Sequence, residues 1–76
     1  MSPHVPVVSG LEMVSILAKA EFYQASQKGS HVKMKNPDGR MVIVPLHREL
    51  APGTFRSILR QANWTIEEFY RHLRDE

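Results

Sequence analysis

The residues best placed to do chemistry stand together in Gln27-Lys28-Gly29-Ser30-His31, a tight basic turn that delivers one imidazole to the start of a strand. RNA chemistry suits so small a set. An RNA strand carries its own nucleophile, the 2′-OH beside the scissile phosphate, so a protein need only align that oxygen, move a proton and neutralise charge. Imidazole titrates near pH 6.5 in water and serves as base or acid at neutral pH, a role worth about 10²- to 10⁴-fold. Lys28, Lys33 or Lys35 are candidates to hold the phosphate and stabilise the extra charge of a pentacovalent transition state, with backbone N–H groups around Gly29 assisting. An exposed strand-end histidine with no task fits the same spacing. His47, in a loop after Pro45, is a candidate second proton carrier if it approaches His31 across the hairpin.

Other chemistries lack their residues. With no cysteine, and with His4, His31, His47 and His72 spread over different elements, neither metal-ligand spacing nor a cofactor is expected. Glu67-Glu68 and Asp75-Glu76 lie on or near the last helix, far from the basic turn, and are expected to be solvated charge. No Walker loop, dinucleotide fingerprint or G-x-S-x-G elbow occurs. Trp64, Phe69 and Tyr70 are expected as helix-start staple and core rather than as a base-stacking platform.

The elements that must position His31 are legible from capping and turn signals. Ser9-Gly10-Leu11-Glu12 is a capping box with Val8 and Met13 in staple register, so a first helix runs to about Ala20, with Leu11, Val14, Leu17 and Ala18 expected inward. Asn36-Pro37-Asp38-Gly39 predicts a β-hairpin. With a three-residue loop and a bulge at Gly39, Asn36 faces Arg40, Met34 pairs with Val42 and Val32 with Val44. Alternation then turns His31, Lys33 and Lys35 to the face opposite those apolar residues. Met41 is expected as partly exposed apolar surface. Phe22 to Gln27 is a further antiparallel strand, joined through Lys28-Gly29-Ser30. Pro45 and the segment Leu46 to Ala51 are expected to leave the sheet. Pro52-Gly53-Thr54 opens a second helix with Phe55, Ile58, Leu59 and Ala62 inward and Arg56, Arg60 and Gln61 outward, closed by Asn63. Thr65 to Glu68 caps a short third helix, with Leu73 continuing its apolar side. The fold class is therefore α+β: α-β-β-β-α with a short C-terminal helix, the helices on one face of a three-stranded antiparallel sheet.

Composition bounds the function. Seventy-six residues, 42% hydrophobic and 24% charged, are expected to make one folded domain over 1–76, with no room in that length for a second catalytic domain. The net charge is only +2, yet Ser26 to Arg60 holds seven bases against two acids, a net of +5. A block of that kind attracts polyanions, which points to nucleic acid; a solvated strand and helix face is the plainer alternative. No apolar run approaches the ~20 residues of a membrane span, and the absence of a basic start followed by an apolar stretch leads to a cytoplasmic expectation.

Over about Pro6 to Phe69 the chain resembles the HicA-type (YcfA-like) mRNA interferase toxins. The pieces come in family order: Pro6-Val7-Val8-Ser9-Gly10 before the first helix, Gln27-Lys28-Gly29-Ser30-His31, Pro37-Asp38-Gly39-Arg40, Val44-Pro45 with His47, then Pro52-Gly53-Thr54 and Arg56-Ser57-Ile58-Leu59. The resemblance implies a double-stranded-RNA-binding-domain-like fold and metal-independent endoribonuclease cleavage of mRNA, with the signature histidine, here His31, as the catalytic residue. It also implies neutralisation by a cognate HicB-type antitoxin, which is expected to cover the face around His31 because a positive cleft attracts a negatively charged lid. Operator DNA would be reached only through that complex. Gly29 and Ser30 match positions that shape the histidine turn, and Lys28 matches a basic one; with Lys33, Lys35, Arg40 and Arg56 they form the expected RNA-binding set. The chain departs from the pattern at Ser26, where an Arg often stands, at Lys35-Asn36, in place of a frequent basic-His pair, and at Glu21, where a Gly often ends the first helix. Rival readings are a non-catalytic RNA-binding module of the same fold, and an adaptor whose basic face meets an acidic protein.

Overall fold

A computed structural model describes residues 5–75. His4 and Glu76, named above for metal binding and solvated charge, lie outside the described residues. The elements run α1 (Gly10–Lys19), β1 (Tyr23–Lys28), β2 (His31–Lys35), β3 (Met41–Pro45), α2 (Pro52–Ala62) and α3 (Ile66–Arg74). The three strands form one antiparallel sheet in the order β1-β2-β3. This is the expected α+β arrangement, consistent with a double-stranded-RNA-binding-domain-like fold.

Local signals account for the boundaries. Ser9 Oγ accepts from Glu12 N–H (3.0 Å) while Glu12 Oε1 accepts from Ser9 N–H (2.8 Å), and Thr65 with Glu68 repeats the same reciprocal cap at α3. Asn63 closes α2 in the left-handed region (φ 62°). The β2–β3 register is the expected one, with Val32 opposite Val44 and Met34 opposite Val42. Gly39 takes φ 86°, and Asn36 Oδ1 accepts from Arg40 N–H at 2.8 Å.

Val32, Met34, Val42 and Val44 meet Met13 and Leu17 of α1, Phe55 and Ile58 of α2 and Phe69 of α3 in one buried cluster. Phe55 and Phe69 cross edge to face at 4.9 Å. Trp64 and Tyr70 pack half-buried against this core, as expected of staple and core residues.

Several positions differ from expectation. The inward face of α1 is Gly10, Met13, Ile16 and Leu17, whereas Leu11 is 67% exposed and Ala18 is exposed. Gly10 is the cause. A Cβ there would lie 2.1 Å from Pro45 O, so this position lets α1 start directly against the exit of β3, and the stripe counts from it at i, i+3 and i+7. Pro45 stays in the sheet opposite His31, and Leu73 remains exposed at the end of α3. Gln61 turns toward β3 rather than outward: its Oε1 accepts from Ile43 N–H at 2.9 Å, satisfying a donor on the edge strand. β1 starts at Tyr23 and carries a bulge between Gln24 and Ser26.

Candidate functional site

His31 is the first residue of β2 and pairs with Lys28 on one side and Pro45 on the other. The connection before it is only two residues, Gly29-Ser30. Gly29 has φ 58° and Ser30 does not have positive φ, the pattern of a type II′ hairpin turn with Gly first. Three further bonds fix the turn and its neighbour. Gln27 Nε2 donates to Gly29 O (3.0 Å), and Gln24 Nε2 donates to Gln27 Oε1 (3.3 Å). Leu46 N–H donates to Ser30 O (2.7 Å), which holds the exit of β3 beside the turn. Gly10 N–H donates to His47 O (2.9 Å), so the start of α1, the His47 backbone and the His31 turn meet at one end of the sheet. The imidazoles of His31 and His47 are both on exposed residues.

The helices cover one sheet face and leave the other open. Cross-strand partners share a face, so the open face has three rows: Lys28, His31 and Pro45; Ser26, Lys33 and Ile43; Tyr23, Lys35 and Met41. None of these positions is acidic. His31 and Lys35 are exposed and Lys33 is half-buried among its neighbours. At about 3.3 Å per residue the column from His31 to Lys35 spans roughly 13 Å. A polyanionic strand laid along it would meet cations in succession, with the exposed imidazole of His31 at one end.

The remaining expected residues are placed elsewhere. Arg40 lies past the opposite end of β2, where its Nε donates to Gln61 O (3.1 Å) near the C-terminus of α2, a favourable position for a cation. Arg56 is exposed on α2, in the helical layer rather than on the open face. The structure thus gathers Lys28, Gly29, Ser30 and His31 at one end, continues them with Lys33 and Lys35, and brings neither Arg40 nor Arg56 to them. The side-chain clamp made by Gln24 and Gln27 escaped the sequence reading; the available signal was a glutamine two residues before a turn carbonyl. A surface depression lined by Lys19, Asn36, Arg40, Trp64 and His72 also lies away from His31. His72 stacks on Trp64 there at 4.6 Å.

A family model described as the HicA toxin of bacterial toxin–antitoxin matches residues 10–64. The chain belongs to the HicA toxin family. The matched span holds α1, the whole sheet and α2, and therefore every residue of the open face, while α3 lies beyond it. As a HicA-type toxin the protein is the toxic half of a two-component system, and membership implies a cognate antitoxin as its partner. Among curated proteins none matches the chain. Among the described residues no helix is long and apolar enough to cross a membrane.

Proposed function

We propose that this HicA-type toxin is a cytoplasmic, metal-independent endoribonuclease that cleaves mRNA, with His31 as its catalytic residue and the face of Lys28, Lys33 and Lys35 as its phosphate-binding track. The observation that carries this reading is the exposed His31 at the head of an acid-free sheet face lined by those lysines. His31 moves a proton while the 2′-oxygen of the substrate attacks the adjacent phosphorus. The P–O2′ bond forms, the P–O5′ bond breaks, and the departing 5′-oxygen takes up a proton, leaving a cyclic phosphate and a 5′-hydroxyl. The lysine ammonium groups and the N–H groups of the Gly29-Ser30 turn offset the charge that builds on the phosphate. The clamp from Gln27 holds the turn, and hence the imidazole, against the strand end.

A HicB-type antitoxin restrains the toxin by covering the His31 face, where an acidic surface would meet these cations. The test is incubation of the purified toxin with single-stranded RNA in excess EDTA. Cleavage by the wild type and none by His31→Ala is the expected result. Activity that persists in a folded His31→Ala protein would move the chemistry to another residue, and intact RNA with retained binding would leave an RNA-binding module.

A further inference from the structure

The open face ends, at the row farthest from His31, in Tyr23, Lys35 and Met41. Tyr23 is 56% exposed and Met41 45%, so two large apolar side chains flank a lysine in solvent. The bulge in β1 determines which side Tyr23 occupies. Counted back from Lys28 opposite His31, a regular ladder would set Gln24 against Lys35 and turn Tyr23 toward the helical side. The extra residue, Ala25, shifts the phase so that Tyr23 pairs with Lys35 on the open face while Phe22 enters the core at 4% exposure. An aromatic ring beside cations, on a face without acids, is the arrangement single-stranded nucleic acid uses: bases stack on the ring and phosphates meet the ammonium groups.

We infer that Tyr23, with Lys35 and Met41 beside it, is a base-stacking subsite for single-stranded RNA on the same sheet face as His31. This rests on the nuclease reading for the direction of the strand, which would run from the scissile phosphate at His31 past Lys33 to an unstacked base on Tyr23. The separation of roughly 13 Å along β2 makes this base a neighbour of the cleaved linkage, not part of it. Tyr23 therefore acts on affinity and not on the chemical step. Single-stranded RNA is the occupant because the exposed ring lies in line with the cations, so that a stacking surface and phosphate-binding groups alternate along one strand direction.

The test compares binding of uncleavable 2′-deoxy oligonucleotides, a dinucleotide and a hexanucleotide, to wild type, Tyr23→Ala and Tyr23→Phe. Tyr23→Thr serves as a second truncation that keeps a strand-favouring residue. Both truncations should weaken hexanucleotide binding by roughly five- to a hundredfold while leaving the dinucleotide unchanged, and Tyr23→Phe should bind as wild type does. With cleavable RNA, KM should rise and kcat should stay. Unchanged hexanucleotide binding, equal loss for both lengths, or a fall in kcat alone would overturn the subsite. So would loss of antitoxin binding with RNA affinity intact, which would make Tyr23 a protein anchor. Failure of the nuclease reading is separable: RNA cutting by His31→Ala would remove the histidine assignment and leave Tyr23-dependent binding standing.

Discussion

The two hairpin turns that bound β2 are built from similar residues and are used differently. The Gly29-Ser30 turn is held by side chains of its own strand, Gln24 and Gln27, and by one backbone bond from Leu46 at the neighbouring exit of β3. The turn from Asn36 to Arg40 is tied to α2 instead, with the Arg40 guanidinium on Gln61 O and Gln61 on Ile43 N–H. Both turns place a glycine at positive φ and both carry a cation. At the first the cation and the histidine lie on the open face, whereas at the second the arginine bonds a helix carbonyl. Basic residues near a β-turn are therefore not equivalent, and their surroundings separate a cation on the open face from one bonded into the fold.

The sharpest contrast between the two ends comes from His31→Ala against Arg40→Ala. The first should lower the cleavage rate at least 10²-fold with little change in unfolding midpoint. The second should keep the rate and lose about 1 kcal/mol or less of stability. Initial rates and denaturant unfolding on the same preparations decide it, and an Arg40→Ala enzyme that folds normally but cannot cut would break the distinction. Next in size is Gln27→Ala, which releases the Gly29 carbonyl and lets the imidazole shift; kcat should fall roughly tenfold. Gln24→Ala, one bond farther away, should have the smaller effect, and the reverse order in single-turnover rates would discredit the clamp.

Gly29→Ala and Gly39→Ala form a matched pair. At each, an added Cβ meets nothing within 4 Å, so only the positive φ resists the substitution. Each should cost about 1 kcal/mol in unfolding experiments. Only Gly29→Ala should also slow cleavage, because only that turn carries His31. The smallest effect concerns acid. Glu68 is held below the usual carboxylate range, first by the Thr65 backbone N–H and then by the Thr65 hydroxyl, Arg71 and His72. A lowered pKa means the ionised form favours the fold, so its contribution is present above the ordinary glutamate range and lost as pH falls through the lowered value. Amide protection factors at the start of α3, corrected for the intrinsic pH dependence of exchange, should fall on acidification while those of the Gly29-Ser30 turn are unaffected. Glu68→Gln, which retains a side-chain oxygen for the cap, should flatten that dependence; an identical pH response in the variant would remove Glu68 as its source.

Much of the frame was legible because local rules governed it. The capping boxes at Ser9 and Thr65, the left-handed Asn63 and the Asn36–Arg40 turn depend on residues within four positions of one another, and the register of β2 with β3 follows from that turn. The placement of His31, Lys33 and Lys35 on one face came with the register. What stayed hidden depends on distant contacts. The α1 stripe was displaced because Gly10 meets Pro45, far along the chain, and Leu11 looked like core only while the helix was considered alone. Gln61 looked like solvent-facing polarity until β3 was beside it. The bulge that turns Tyr23 outward has no local marker in Tyr23-Gln24-Ala25-Ser26, since it depends on Phe22 entering a core assembled from other elements. Charge alone groups Arg40 and Arg56 with the lysines, and charge carries no information about the layer of the fold in which a side chain stands.

The central claim is that the His31 end of the sheet directs attack by the substrate's own 2′-oxygen. End-group analysis of cut RNA tests it most directly: 2′,3′-cyclic phosphate and 5′-hydroxyl termini are predicted, and fragments ending in 3′-hydroxyl groups would contradict it.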